Sequence, residues 1–171
     1  MKSDPPRSAV PTVPSQKRRH RFVLGGALVL ALGASAVPAV DARAGLSRDA
    51  ERMRSLHRID AALRAYHMET GELPRHVPDP FAGGWETSVD GQFLEELVSA
   101  GHLQGVVLDP LNDLDHHLRY ACYPEGTEGA EQPFYVLAVT GLESDKVPLA
   151  VEARQGDRDW AEEYPLALLG P

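Results

Sequence analysis

Apolar residues recur at helical spacing in the first half of the charged part of the chain. At 100° per residue, Leu56, Ile59, Leu63 and Tyr66 fall within an arc of roughly 80°. The spacing predicts a helix over 47–70, with Ser47 as its cap, Asp49 and Glu51 favourably placed in its first turns, and Gly71 and Pro74 as its stop. The first turns have no clean apolar face, because Arg48, Asp49, Glu51, Arg52 and Arg54 surround Ala50 and Met53. They are expected to form a solvated stalk, with packing beginning at Leu56.

Beyond the stop the pattern shortens. Residues 72–88 carry Pro74, Pro78, Pro80 and Gly83-Gly84 and read as a loop, in which Phe81 and Trp85 are expected to cover the core edge. Phe93, Leu94, Leu97 and Val98 predict a short helix over 91–100, capped by Asp90 and ended by Gly101. Leu118–Tyr123 alternates, and Phe134–Thr140 is a β-rich run, so the two predict an antiparallel hairpin with a long loop through Gly126 and Gly129. Val147–Ala153 is a third strand candidate, pushed to an edge by Pro148. The tail from Gly156 carries Trp160, Tyr164, Leu166 and Leu168 and is expected to pack back over the sheet. The fold class is α+β: one long N-terminal helix laid on a small antiparallel sheet in two layers, with a short second helix.

Upstream lies a different kind of sequence. Residues 1–21 form a proline-rich, basic region that is expected to be disordered, ending in Lys17, Arg18, Arg19 and Arg21. Phe22–Val40 then runs 19 residues without a charge. That is close to the roughly 20 apolar residues a bilayer span requires. The basic block before it places its N-terminus in the cytoplasm. Two readings stand. The run is an uncleaved anchor in the inner membrane, or a signal peptide cleaved after Ala36 or Ala44, both of which close small-x-small sites. Either way residues 46–171 form a domain outside the cytoplasm, divided into a stalk helix (47–70), a head (71–155) and a tail (156–171). The protein is then single-pass in the inner membrane, or soluble in the periplasm if cleaved.

Charge sharpens this division. Residues 1–40 carry net +5 and residues 41–171 net −13. Nucleic acid is a poor partner for so acidic a domain, since its phosphates are repelled. The one cysteine, Cys122, excludes an internal disulfide and reads as a small buried strand residue. Asp109, Asn112, Asp113 and Asp115, with His116 and His117 beside them, make the densest polar cluster, and their oxygens at short spacing are candidate calcium ligands. The histidines form no zinc set: His57 and His67 are too far apart along the helix, and His116 and His117 point in opposite directions on a strand. There is no G-x-S-x-G and no phosphate-binding loop. No catalytic constellation or small-molecule substrate is implied, and the chain is not expected to be an enzyme.

Four stretches, taken in order, resemble the type IV pilin and type II secretion pseudopilin superfamily, nearest to the major pseudopilins. Arg48–Pro74 (RDAERMRSLHRIDAALRAYHMETGELP) is similar to the family's helix, with Leu73 in place of the usual aromatic. Phe93–Asp113 (FLEELVSAGHLQGVVLDPLND) is similar to its loop ending in Asp-Pro-x-Asn. Arg119–Pro124 (RYACYP) and Phe134–Ser144 (FYVLAVTGLES) resemble its following strand and its last strand. The resemblance implies a pilin-like fold and a non-enzymatic structural or accessory role in a type II secretion or type IV pilus-related system, with other subunits as partners. It also implies calcium in some members, through a loop nearer the C-terminus where this chain has Asp145, Gly156, Asp157 and Asp159. The N-terminus departs from the family: Gly25-Gly26 is followed by Ala27, and no acid lies between Phe22 and Val40. Prepilin processing and assembly into a fibre therefore do not follow. A freestanding periplasmic binding module with the same fold is the alternative.

Overall fold

A computed structural model describes residues 37–144 and 153–171. The basic region 1–21, most of the hydrophobic run, and all of the third strand candidate but Ala153 lie outside them. The first element, α1, spans Val37–Thr70, 34 residues, about 51 Å at 1.5 Å per residue. It already includes Val37–Leu46, upstream of Ser47, so Ser47 is an interior helical residue and not a cap. Its end is where the glycine predicts: Gly71 takes φ +74 and its N–H donates to the His67 carbonyl at 2.8 Å.

Leu56, Ile59 and Leu63 are at most 1% exposed. Burying each contributes roughly 1.5–3 kcal/mol. They pack on a four-stranded antiparallel sheet of order β1-β2-β3-β6. β1 is Glu86–Thr87, β2 Leu118–Tyr123, β3 Phe134–Val139 and β6 Leu166–Gly170. β2 and β3 form the expected hairpin, in register Leu118↔Val139 to Tyr123↔Phe134. β1 extends the sheet beyond β2, where the sequence predicts only loop. β6 adds to the far side of β3, in register Val139↔Leu166 to Tyr135↔Gly170.

All six residues of β3 are buried, because the sheet is covered on both faces and the period-2 alternation of a strand sends side chains to each. Tyr135, Leu137 and Val139 face the α1 layer with Phe93, Leu97, Leu118 and Tyr120. Phe134, Val136 and Ala138 face a second cluster built on Trp85 and Trp160. That second cover comes from the tail: a two-stranded ribbon of β4 (Arg154–Gln155) and β5 (Arg158–Asp159), then α3 (Trp160–Glu163). The fold is α+β, but with a third layer that the two-layer expectation lacks. The Arg158 guanidinium lies 3.5 Å from the Trp160 ring centroid and donates to Glu163, so the ribbon is tied to the helix that follows it.

The short helix α2 is Glu95–Ser99, about half the predicted length. Leu94 precedes it with φ +51, and Asp90 turns its side chain to the Gln92 N–H at 2.9 Å instead of capping the helix. Trp85 is 7% exposed, whereas Phe81 is 98% exposed and covers no core edge.

Candidate functional site

Ser47, Ala50, Glu51 and Arg54 of the expected solvated stalk are exposed, but one face of it is buried and polar. Asp49 and Arg52 are both 0% exposed. One turn apart on α1, they face the same way, and two loops close over them. The Arg52 guanidinium makes a two-pronged pair with Asp109, Nε to Oδ2 at 2.7 Å and Nη2 to Oδ1 at 3.0 Å. Its Nη1 donates to Asp49 Oδ1 at 2.6 Å and to Glu143 Oε1 at 3.0 Å. Arg48 adds its own Nε to Glu143 Oε1 at 2.6 Å, and its Nη2 to Oε2.

Each acid has a second task. Asp49 accepts from the backbone N–H groups of Glu143 (3.1 Å) and Ser144 (2.8 Å), so a helix side chain supplies the acceptors for the segment after β3. Asp109 Oδ1 accepts from the Leu111 N–H at 2.9 Å and holds the turn that begins at Pro110. Gly45 lets the segment approach: a Cβ there would lie 3.1 Å from Glu143 Cβ. Burial works against the charge of Arg52, and the hydrogen bonds it donates to Asp109, Asp49 and Glu143 outweigh it, leaving the guanidinium more firmly protonated than usual. The Glu143 carboxyl is held down to about 2, first by its hydrogen bonds from Arg48 and then by those from Arg52.

The four calcium candidates are not brought together. Asp109 faces Arg52. Asn112 turns to Ser88, accepting from its hydroxyl at 2.6 Å and donating to its carbonyl at 2.9 Å. Asp113 closes its own turn, accepting from the N–H groups of Asp115 (3.0 Å) and His116 (2.7 Å), which lower its pKa. Asp115 is exposed and gives its carbonyl to the Thr140 hydroxyl. Among the described residues no three His, Cys, Asp or Glu side chains are placed to hold a metal ion. His117 is buried, which lowers its pKa. Its Nδ1 is 3.1 Å from the Asp113 carbonyl and its Nε2 accepts from Arg119, the arrangement of a neutral imidazole. Cys122 is half-buried, with Sγ 3.2 Å from His76 Nδ1.

Chemically, the Arg52 network is a clamp. Its acids are paired and its cation does not release a proton, so it offers no acid–base group. It joins three stretches separated by 57 and 91 residues from Arg52 into one body. Sequence reasoning missed Asp49, Arg52 and Glu143 as partners. The available signal was that charges on a helix face otherwise suited to burial stand opposite acids in the Asp109-Pro110-x-Asn112 and Leu142-Glu143-Ser144 stretches.

Compared with known proteins, the chain matches no family model, no curated protein and no solved structure at a significant level. No helix among the described residues is long and apolar enough to cross a membrane.

Proposed function

We propose that this chain is a non-enzymatic, pilin-like subunit or accessory protein of the cell envelope, belonging to a type II secretion or type IV pilus-related system. The observation that carries the reading is α1: its Leu56–Tyr66 stripe lies on an antiparallel sheet, and the turns before that stripe are clamped by Arg52 to the Asp109 and Glu143 loops. The Asp-Pro-x-Asn and Leu-Glu-Ser stretches that resemble the pilin superfamily are the ones that meet on Arg52.

The role is mechanical. Phe22–Val40 holds the protein in the inner membrane, and the described helix runs unbroken from Val37 to Thr70. Load on the anchor passes along α1 into the head through the clamp and the core below it. Other subunits of the system are the partners, and neither nucleic acid nor a small-molecule substrate has a part.

The alternative, a soluble periplasmic module of the same fold, draws on the clamp: Asp49, Arg52, Asp109 and Glu143 all lie beyond both cleavage sites, so either cleavage leaves the clamp in the mature chain. Intact mass and N-terminal sequencing of the protein from fractionated cells separate the two. A membrane-bound chain retaining Phe22–Val40 supports the subunit. A soluble chain beginning at Val37 or Gly45 refutes the anchored role and leaves the module.

A further inference from the structure

The loop between α1 and β1 is built to hold one side chain out. Asp79 Oδ1 accepts from the Phe81 N–H at 2.8 Å and Oδ2 from the Thr87 hydroxyl at 3.3 Å. The Asp79 N–H donates to the Trp85 carbonyl at 2.8 Å, and the Asp79 carbonyl accepts from the Gly84 N–H at 3.2 Å. Gly83 and Gly84 supply the left-handed turn, at φ +67 and +89. At its apex stands Phe81, 98% exposed, with Val77 74% exposed beside it. A phenylalanine so placed adds nothing to the core, and the loop's hydrogen bonds hold its backbone at the apex.

Phe81 and Val77 border a groove of about 590 Å³ that runs to the start of α2. Its polar lining is of one sign: Asp79, Asp90, Glu95 and Glu96 surround it, and Arg75 is the single cation among the described lining residues. Glu86 also lines it, although only 5% exposed. That carboxylate accepts from the N–H groups of Val77 (3.0 Å) and Leu94, and no cation among the described residues pairs with it. Burial raises its pKa, and Asp90 and Glu95 add to the effect. An ionised carboxylate removed from water without a counter-charge is an unfavourable arrangement that an incoming cation relieves.

We propose that this groove is a docking site for a polypeptide segment that presents a lysine or arginine beside an apolar side chain. The cation meets Glu86 and the surrounding acids, and the apolar side chain packs on Phe81 and Val77. An exposed aromatic beside a concave surface is an anchor arrangement of protein interfaces, and a loop backbone already held by hydrogen bonds lowers the ordering cost of binding. Charge disfavours two competitors: the 41–171 domain of a second copy brings net −13, and an anionic lipid surface is repelled likewise. The proposal stands on the groove alone and does not draw on the pilin-like reading.

The test uses the isotopically labelled full-length chain in neutral detergent micelles. It is titrated with the end-blocked pentapeptide Gly-Lys-Leu-Arg-Gly and, separately, with Gly-Glu-Leu-Asp-Gly. The expected result is saturable shifts of the Val77, Phe81, Thr87 and Gln92 amides with the basic peptide alone. Phe81→Ala, which leaves the melting temperature unchanged, and Glu95→Lys each weaken binding about fivefold or more. Glu125→Lys makes the same change in net charge outside the groove and leaves affinity within about twofold. Shifts scattered over the acidic surface, equal response to both peptides, or an affinity insensitive to either groove substitution overturns the proposal. Self-association abolished by Phe81→Ala also overturns it, because the occupant is then a second copy.

Discussion

Arg52→Met tests the clamp most directly. The substitution keeps a long side chain in the helix but leaves Asp49 and Asp109, both with side chains 0% exposed, without their cation. Removing one partner of a buried ion pair costs about 3–5 kcal/mol. The backbone donors of Glu143, Ser144 and Leu111 remain on the two acids, which places the expected loss near the lower end, at about 3 kcal/mol. Set against a typical domain stability of about 5–15 kcal/mol, that is a large fraction. Arg52→Lys keeps the charge but gives up the two-pronged contact with Asp109, for an expected loss of about 1–2 kcal/mol. Urea unfolding of the full-length chain, followed by near-ultraviolet circular dichroism, reads both. With a slope of about 1–3 kcal/mol per molar, Arg52→Met moves the midpoint down by at least about 1 M. Arg64→Ala serves as the surface comparison: Arg64 pairs with Asp60 but is 45% exposed, and its loss is expected below about 1 kcal/mol. If Arg52→Met unfolds within about 0.5 kcal/mol of the parent chain, the clamp does not hold the fold and the argument built on it fails.

The remaining predictions concern pH, the core and a turn. The folded-state value of Glu143, about 2, lies below its unfolded value near 4.3. Its stabilisation is therefore complete above about pH 4.3 and is lost as pH falls toward 2, by roughly 1–2 kcal/mol after allowance for its partly solvated side chain. Glu143→Gln removes that acid-side slope. Glu86, with its raised value, acts in the opposite sense: its contribution is present below its unfolded value and is lost as pH rises through its higher folded value, equally in both chains being compared. Leu63→Ala, at a site 0% exposed, is expected to lose about 2–5 kcal/mol in the same urea assay. Met68→Ala, at 87% exposure, is expected to stay within about 0.5 kcal/mol. Gly156→Ala forces a side chain onto φ +59 with its Cβ 2.1 Å from the Glu128 carbonyl oxygen. It should lower the melting temperature by at least about 2–4 °C, whereas Gly105→Ala, with no atom within 4 Å, should not.

What the chain determines locally was legible without coordinates. The α1 stripe, its stop at Gly71, the β2–β3 hairpin and the return of the tail to the sheet follow from periodicity and turn chemistry, which act between residues close in sequence. What failed depended on contacts distant in sequence. Charged first turns read as solvated, because neither Asp49 nor Arg52 carries any local sign of Asp109 or Glu143 far along the chain. The Asp109 cluster read as calcium ligands because spacing cannot tell an acid that meets a metal ion from one that meets a guanidinium. Phe81 read as core cover because hydrophobicity says nothing of direction, and a loop framed by Asp79 turned it outward. β6 was missed as a strand, because a short tail segment becomes a strand only when β3 offers it an edge. Tertiary structure decided those points, since the free energy of burying a charge or a ring depends on what stands opposite it.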